Sequence, residues 1–388
     1  MAHAPMQLPF THDLSELVPV IPIGRRVHAS TRYTGAGVTI AYLDSGFYPH
    51  PDLVTPLSRI KAYADATGER VIERALTKSQ HASNWHGTMT TGASAGNGAL
   101  SGGRFRGIAS CASLVLVKTG QPDTFRISEK DIGRALSWVI EHHARLGVRV
   151  INISLGGDVP SKGKATALDK LVEEAVALGM CVVCAAGNSG GHKIIPPASA
   201  ASAITVGGVN DFNSTDVARH RLYHSNYGVG LGGAMKPELI APAQFVPAPM
   251  LPDSETHKLA QLLWALEKAS DRALRELLKA QEAQDALGME VQKPPAHVRR
   301  IVRHRINEQK FIHPHYQHAD GTSFAAPIVS AVIAQMLEAN PKLTPAQVKH
   351  ALIETADALE DVPVERQGAG VVNASAAVRA GMRTTRSR

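Results

Sequence analysis

The sequence is poor in cysteine and has no long uninterrupted hydrophobic run. Its 388 residues include only three cysteines, too few for a disulfide framework. No apolar stretch approaches the ~20 residues that a membrane-spanning helix needs, and residues 1–20 lack the basic and apolar regions of a secretory leader. These absences argue against a disulfide scaffold and a membrane protein. We therefore expect a cytoplasmic protein, with a secreted mature form as the alternative.

The charge of the chain is basic but not extreme. Lys and Arg outnumber Asp and Glu by 41 to 34, which gives a formal net charge of +7. Spread over a large surface, this charge permits weak attraction to acidic partners but does not indicate nucleic-acid binding. Hydrophobic residues make up 44%, so the chain can bury a core without disulfide bonds or metal ions.

Short β-rich segments alternate with amphipathic helical segments through most of the chain. The expected strands lie at 38–43, 114–117, 148–153, 180–186 and 203–206. Apolar residues at helical spacing lie between them at 127–146 and 165–178, and a glycine follows each helix. This alternation predicts a doubly wound α/β fold, in which helices cover both faces of a mostly parallel sheet.

The alternation stops between residues 243 and 318. A proline-rich stretch is followed by leucines at helical spacing over Ser254–Asp285, where Ser254 is placed to cap a helix. A second helical pattern with flanking arginines follows at 297–310. We predict an inserted helical hairpin. Its basic face is expected to be solvated, and docking on nucleic acid is the weaker alternative.

Two small groups of potential metal ligands are interpreted as structural. Cys181 and Cys184 lie inside an apolar run, which favours a buried strand over a redox or metal site. His313, His315 and His318 stand close together in the chain. For them we predict a polar loop, with a transition-metal site as the alternative.

Three polar residues stand in positions suited to nucleophilic catalysis. Asp44 follows an expected strand, His86 lies in Trp-His-Gly-Thr, and Ser323 precedes an apolar helix at 328–337. A serine hydroxyl becomes a good nucleophile when an imidazole accepts its proton and a carboxylate orients that imidazole. Each residue alone would be interpreted as a cap or loop residue, but the combination indicates catalysis.

The order of these residues and the segments around them resemble the subtilisin-like serine peptidases, the subtilase family. The similar segments are DSGFYPHPDL, HGTMTTGASAGNG, INISLGG, AAGNSG, KPELIAPA, GTSFAAPIVSAVIAQML and QGAGVVNASAAV. The resemblance implies a catalytic domain at 21–242 and 319–380, a possibly regulatory extension at 1–20, the insertion at 243–318 and a basic tail at 381–388. This layout is closest to the intracellular members, which lack a large prodomain.

The resemblance implies a serine endopeptidase that acts through an acyl-enzyme intermediate. Ser323 would be the nucleophile, His86 the general base and then acid, and Asp44 the orienting carboxylate. Asn188 would stabilise the oxyanion. The residues implied to bind the substrate backbone are Lys118, Thr119, Gly120, Ser154, Leu155, Gly156 and Gly157. The alternative function is a latent or regulated protein of this fold that acts mainly as a peptide-binding or signalling partner.

The sequence also departs from the usual pattern of the family. Met89 stands where a second histidine is usual, and Ile194 and Ile195 replace a glycine-rich pocket floor, which indicates an apolar, narrowed primary pocket. The insertion could cap the cleft or bind a protein partner. The resemblance implies no required cofactor. A structural calcium ion is conceivable in the loop after His86, but Asn97 there is not accompanied by a carboxylate.

Overall fold

The computed structural model describes residues 17, 19–121, 127–157, 163–288 and 294–383. The extension predicted at 1–20 and the tail at 381–388 lie mostly outside the described residues. The strands are β1 (Thr39–Asp44), β2 (Ile60–Asp65), β3 (Ile72–Glu73), β4 (Ser113–Lys118), β5 (Val148–Ile153), β6 (Cys181–Ala185), β7 (Ile204–Asn210), β8 (Arg221–Leu222), β9 (Gly228–Val229), β10 (Met235–Lys236), β11 (Leu239–Pro242), β12 (Val246–Pro249), β13 (Phe311–His313) and β14 (Tyr316–Ala319). The helices are α1 (Ile23–Arg26), α2 (Pro51–Val54), α3 (Trp85–Ala95), α4 (Glu129–Leu146), α5 (Ala167–Ala177), α6 (Glu255–Lys268), α7 (Asp271–Leu277), α8 (Gln281–Leu287), α9 (Pro295–Glu308), α10 (Thr322–Ala339), α11 (Pro345–Glu354), α12 (Val364–Gln367) and α13 (Ala374–Arg383).

A nine-stranded sheet forms the centre of the molecule. Its strand order is β11-β7-β6-β5-β1-β4-β2-β3, with β8 paired to β7. Only β3 and β8 pair antiparallel with their neighbours, and the remaining strands of the sheet are parallel. The predicted mostly parallel sheet is therefore confirmed.

Helices cover both faces of this sheet, as the sequence predicted. In β1, Ala41 and Leu43 join the hydrophobic cluster beneath α4 and α5, whereas Ile40 and Tyr42 join the cluster beneath α3 and α10. This alternation follows from the two-residue period of a strand. All six residues of β1 are buried, which explains why the strand reads as continuously apolar up to its last residue.

The chain changes its winding direction around β1. Strands β2 and β4 lie on one side of β1, and β5, β6 and β7 lie on the other. In such sheets, ligands bind at the carboxyl ends of the strands next to this switch point. Asp44, Lys118 and Ser154 all stand at that edge, at or directly after the ends of β1, β4 and β5.

The serine helix predicted at 328–337 is longer than expected. It begins at Thr322, so that Ser323 lies in its first turn, and it continues to Ala339. Among the described residues, α10 is the one helix long and apolar enough to cross a membrane, and 83% of the window that passes this test is buried. The apolarity of α10 is that of a core helix, because it packs between the sheet, α3 and α13.

The predicted helix over Ser254–Asp285 is wrong as a single element. The structure divides it into α6, α7 and α8. Ser254 caps α6 as expected by accepting a hydrogen bond from the backbone N–H of His257 at 3.2 Å. Ser270 starts α7 in the same way, through the N–H of Ala273 at 3.3 Å. Leucine spacing did not reveal the break, because leucines on both sides of it face the same core.

Both ends of the segment 243–318 form strands that the sequence pattern missed. The proline-rich stretch contains β12, which pairs antiparallel with β14, and β14 also pairs with β13. The polar loop predicted around His313–His318 is therefore a β-hairpin. This three-stranded sheet joins the inserted helices to the rest of the molecule.

Helices α6, α7, α8 and α9 of this segment enclose a hydrophobic cluster of their own. Its fully buried members include Leu263 and Leu266 of α6 and Val298, Val302 and Ile306 of α9. We call the nine-stranded sheet with its helices the body, and residues 243–318 the insertion. Because the insertion has its own cluster, its helices do not depend on the core of the body for burial.

Part of the basic face of α9 contacts α6. Arg299 donates hydrogen bonds to the carbonyls of Glu267 and Ala269, at 2.7 and 2.6 Å, and Arg303 pairs with the carboxylate of Glu267 at 2.8 Å. These arginines link the two helices. Two basic residues that were expected to face solvent therefore contact α6 instead.

The two cysteines of the Cys-x-x-Cys pair are buried in β6. Burial raises the pKa of both Cys181 and Cys184 to about 12, so that both thiols are protonated at neutral pH. The interpretation as a buried strand is confirmed for this segment.

Candidate active site

Asp44 is the buried carboxylate at the end of β1. Its Oδ1 accepts hydrogen bonds from Nδ1 of His86 at 2.6 Å and from the backbone N–H of Ser45 at 2.7 Å. Its Oδ2 accepts a third from the hydroxyl of Thr90 at 2.9 Å. These three donors hold the carboxylate in one orientation. Sequence reasoning missed Thr90, although its position one turn after His86 on α3 was available as a signal.

His86 lies on α3 between Asp44 and Ser323. Its Nε2 is 3.0 Å from the hydroxyl oxygen of Ser323. Burial lowers the pKa of His86, but the charge of Asp44 and its hydrogen bond together outweigh burial, so that the net pKa is raised above its usual value. A raised pKa makes the imidazole a stronger acceptor for the proton of the serine hydroxyl.

Ser323 is held in the first turn of α10. Its carbonyl accepts a hydrogen bond from the hydroxyl of Ser154 at 2.9 Å. Gly321 precedes the helix with φ of 130°, a conformation that favours glycine, and a Cβ at this position would lie 3.2 Å from the hydroxyl oxygen of Ser323. Glycine at 321 therefore keeps the space beside the hydroxyl open.

Asn188 points its amide nitrogen toward the same space. Its Oδ1 accepts hydrogen bonds from the backbone N–H and the hydroxyl of Thr322, at 2.8 and 3.0 Å. Because a backbone N–H can pair only with the amide oxygen, these contacts determine the orientation of the amide. Its Nδ2 lies 3.5 Å from the position where a Cβ of Gly321 would stand. The amide nitrogen and the hydroxyl of Ser323 thus flank one point.

The segment after β5 lies against Ile195 and Pro196. Gly156 is exposed, and Ile195 lies across from it, with Cδ1 only 2.9 Å from where a Cβ of Gly156 would be. The N–H of Gly157 donates to the carbonyl of Pro196 at 2.8 Å, and the Glu129 side chain occupies the space that a side chain at 157 would need. Glycine backbone, Ile195 and the Glu129 side chain therefore lie together in this wall.

The segment after β4 has part of its backbone already in use. The N–H of Thr119 donates to the carbonyl of Asp44 at 2.8 Å, and the N–H of Gly120 donates to the carbonyl of Ser45 at 3.0 Å. Lys118 is buried, and burial lowers its pKa. These contacts support the aspartate loop, so that the donors of Thr119 and Gly120 are not free to pair with a peptide.

The described residues contain no group of three or more His, Cys, Asp or Glu side chains that could hold a metal ion. The nearest approach is a pair, in which Nε2 of His257 is 2.7 Å from Nδ1 of His315. In the loop after α3, Oδ1 of Asn97 accepts a hydrogen bond from the N–H of Ala99 at 3.0 Å. That amide oxygen therefore already has a partner within its own loop.

Comparisons with known proteins agree with this arrangement. A model of the subtilase family matches residues 35–370. Serine protease AprX of Bacillus subtilis is 30% identical over 354 residues, which cover 89% of this chain and 67% of that protein. Subtilisin Savinase of Lederbergia lenta is 28% identical over 348 residues, which cover 89% of this chain and 92% of that protein.

Solved structures have the same fold at lower sequence identity. The protease domain of PatA superposes with a TM-score of 0.61 at 20% identity, covering 92% of this chain and 99% of that one. Fervidolysin from Fervidobacterium pennivorans superposes with a TM-score of 0.62 at 18% identity, covering 92% of this chain and 45% of that one. At these identities the superpositions establish the fold alone.

Proposed function

The chain belongs to the subtilase family, and on that premise we propose that Asp44, His86 and Ser323 act as its catalytic triad. The protein is a serine-type endopeptidase, as its named relatives are serine proteases and subtilisins. The proposal rests on one observation, the continuous chain of contacts from the Asp44 carboxylate through His86 to Ser323, at 2.6 and 3.0 Å.

The first half of the reaction acylates the serine. The hydroxyl of Ser323 attacks the carbonyl carbon of the scissile bond while Nε2 of His86 takes the hydroxyl proton. Asp44 accepts the hydrogen bond from Nδ1 and stabilises the charged imidazolium that results. His86 then gives its proton to the leaving amine, and the C–N bond breaks to leave an ester on Ser323.

The tetrahedral intermediates carry a negative oxygen that needs donors. We assign this role to Nδ2 of Asn188 and the backbone N–H of Ser323, which lies in the first turn of α10 where N–H groups have no intrahelical acceptor. Thr322 orients Asn188 before substrate arrives, through the two bonds to Oδ1. In the second half of the reaction, a water molecule attacks the acyl carbon while His86 accepts its proton. The ester bond to Ser323 then breaks, the serine oxygen takes the proton back from His86, and the carboxylic acid product is released.

Substrate is proposed to bind as an added strand beside Ser154–Gly157. Such binding pairs the main chain of the substrate and places alternate side chains in pockets. The exposure of Gly156 and the partial exposure of Leu155 support this placement. Lys118, Thr119 and Gly120 are proposed to lie at the opposite edge of the substrate cleft. The contact between Gly156 and Ile195 favours an apolar side chain before the scissile bond.

A fluorophosphonate probe tests the proposal, because it reacts only with a serine activated by an assembled triad. We expect the purified protein to label and the Ser323→Ala variant not to label, with a loss of about 10⁶ in turnover, the size known from subtilisin. The matched control is Ser137→Ala, on the exposed face of α4. If the folded wild-type protein failed to label, the alternative of a latent peptide-binding protein would be favoured.

The other properties expected from the sequence remain proposals. We propose that the reaction needs no cofactor, because every proton and bonding step above is carried by protein groups and water. A cytoplasmic location and a protein partner for the insertion likewise stay predictions. Cell fractionation with an antibody against the chain would test the first of these.

A further inference from the structure

A cavity of about 430 Å³ lies between α3 and the start of the insertion. One wall comes from α3 and the other from the insertion. The residues that matter for its chemistry are Trp85, Met89, Met250, Leu251, Thr256 and Gln317. None of them belongs to the segments proposed above to bind the substrate backbone.

Both walls of the cavity are connected to the triad. Trp85 directly precedes His86, and their rings meet edge to face with centroids 5.1 Å apart. Gln317 lies on β14, which leads through Gly321 into Ser323, and its amide nitrogen is 3.9 Å from the sulfur of Met89. The cavity therefore begins beside the residue that carries the proton.

The chemistry of the reaction decides which part of the substrate can reach this cavity. His86 must deliver its proton to the amine of the leaving segment, so that segment begins beside the imidazole. The acyl segment is proposed above to lie on the other side of Ser323, along Ser154–Gly157. Trp85 is therefore next to the leaving segment.

The lining of the cavity combines apolar side chains with neutral polar ones. Met89, Met250 and Leu251 are buried, whereas the ring of Trp85 is 45% exposed. A large exposed aromatic ring in a concave surface favours an apolar side chain in contact with it. The rim carries only neutral polar groups, among them Thr256.

We propose that this cavity, the Trp85 pocket, binds an apolar side chain of the substrate segment that follows the scissile bond. The inference rests on the proposed function, since it needs an acyl-enzyme at Ser323. The insertion then contributes to specificity: it forms half of a binding site that the body alone does not complete.

Capture of the acyl-enzyme by an added amine tests the pocket directly. An acetylated Ala-Ala-Leu methyl ester has no residue after the scissile bond, so it acylates Ser323 without using the pocket. Leucinamide or glycinamide is then added. Its amine nitrogen attacks the acyl carbon, the bond to the Ser323 oxygen breaks, and His86 passes the proton of the amine to that oxygen. The ratio of amide to acid product reports binding of the amine.

We expect leucinamide to capture the acyl-enzyme about tenfold better than glycinamide at equal concentration, the gain expected from burying a leucine side chain. Equal capture by the two amines would overturn the inference. Absence of methyl ester hydrolysis would instead overturn the proposed function, so the two failures are distinguishable. This measurement uses the wild-type protein and depends on no variant.

Variants at the exposed rim assign the preference to this pocket. Thr256→Arg on the insertion and Ala82→Arg on the opposite rim should each reduce the leucinamide preference to about twofold or less, because the new side chain fills or charges the cavity. The matched control is Gln261→Arg, which adds the same charge to an exposed position of α6 outside the cavity. If both rim variants kept the tenfold preference, another surface would be responsible.

Discussion

The active site and the junction between the body and the insertion hold buried titratable groups differently. In the active site, the buried carboxylate of Asp44 accepts three hydrogen bonds, one of them from His86. Where the insertion meets the body, the rings of His50 and His318 are buried, and their hydrogen-bond partners are backbone groups of Met250 and Phe245. The proposed triad holds a charge in place, whereas this junction is built from neutral rings.

We call the second group the histidine junction, and it comprises His50, His257, His313, His315 and His318. Burial is the main cause that lowers the pKa of each ring, to about 3 for His50 and about 4 for His313 and His318. In His86, by contrast, a neighbouring carboxylate outweighs burial and raises the pKa. Carboxylates also lie near His50, His257 and His318, but at the junction burial outweighs them, whereas at His86 the direct hydrogen bond to Asp44 adds to the charge and outweighs burial.

Histidine therefore has opposite roles in two regions of one chain. In the proposed mechanism His86 gains a proton during the reaction, and its raised pKa favours this, whereas the lowered pKa values of the junction histidines keep those rings neutral. Acid should therefore affect the two regions by different routes, activity through His86 and attachment of the insertion through the junction.

Removing the charge of Asp44 should have the largest effect. Asp44→Asn replaces the carboxylate with an uncharged amide, which no longer stabilises the charged imidazolium of His86. Turnover should fall by about 10⁴-fold. The wild-type activity should rise with pH through a midpoint above 6.5, because His86 must be neutral and its pKa is raised. In Asp44→Asn the midpoint should move to lower pH, measured from kcat/KM against pH.

The control is Asp216→Asn, which changes an exposed carboxylate at a helix cap. If the midpoint of Asp44→Asn stayed at the wild-type pH, the role of Asp44 would be contradicted.

Removing the oxyanion donor should have the next largest effect. Asn188→Leu should lower kcat by about 10²–10³-fold, the range known for such a donor in subtilisin, a member of the same family. KM should change little, because the donor acts on charge that develops only in the transition state. Steady-state kinetics separates the two parameters. A variant that raised only KM would show that Asn188 binds the ground state instead.

Replacing the insertion would sharpen the contrast between the two regions. Pro249 pairs with Tyr316, so a short Gly/Ser turn can replace residues 250–315 and keep β12 and β14 paired. We expect the shortened protein to label with fluorophosphonate and to cleave folded proteins faster, by roughly tenfold or less, because one wall of the cleft is gone. It should also lose the preference for leucinamide. A folded but unlabelled product would mean that the insertion is part of the catalytic architecture.

Acid should weaken the junction by a smaller amount. The unfolded chain binds protons on these rings as the pH falls below about 6.5, whereas the folded protein keeps His318 neutral down to about pH 4. The free energy of unfolding is therefore highest above pH 6.5 and falls as the pH decreases toward 4, by roughly 2 kcal/mol for His318 at pH 5.

His318→Gln removes one of these titrations and should reduce the fall in Tm between pH 7.5 and pH 5 by a few degrees. The exposed His304→Gln is the control, and it should leave the fall unchanged. Since Arg26, Lys310 and Asp320 surround His318, measurements at two salt concentrations separate burial from the effect of these charges. An equal fall in Tm in His318→Gln and the wild type would contradict the role of His318.

The resemblance of short contiguous segments to the subtilase family pointed to the candidate catalytic residues. The strand at 38–43 before Asp44 and the Gly-Thr-Ser before an apolar helix were visible in the sequence, whereas α3, the helix that carries His86, was not predicted. The parallel sheet was predictable from a local pattern, because strands buried on both faces read as continuous apolar runs.

Contacts between distant segments decided the rest. No periodicity marks β12 or β14, four residues each and separated by more than sixty residues, because pairing between remote strands leaves no trace in either one alone. Tertiary packing likewise produces the hydrogen bond from Thr90 to Asp44, the approach of Ile195 to Gly156 and the Trp85 pocket. The sequence by itself, through contiguous segments that resemble the subtilases, determined which residues are the candidates for catalysis, Asp44, His86 and Ser323. Only the tertiary structure decided what surrounds them, since packing brings together side chains that no local pattern relates.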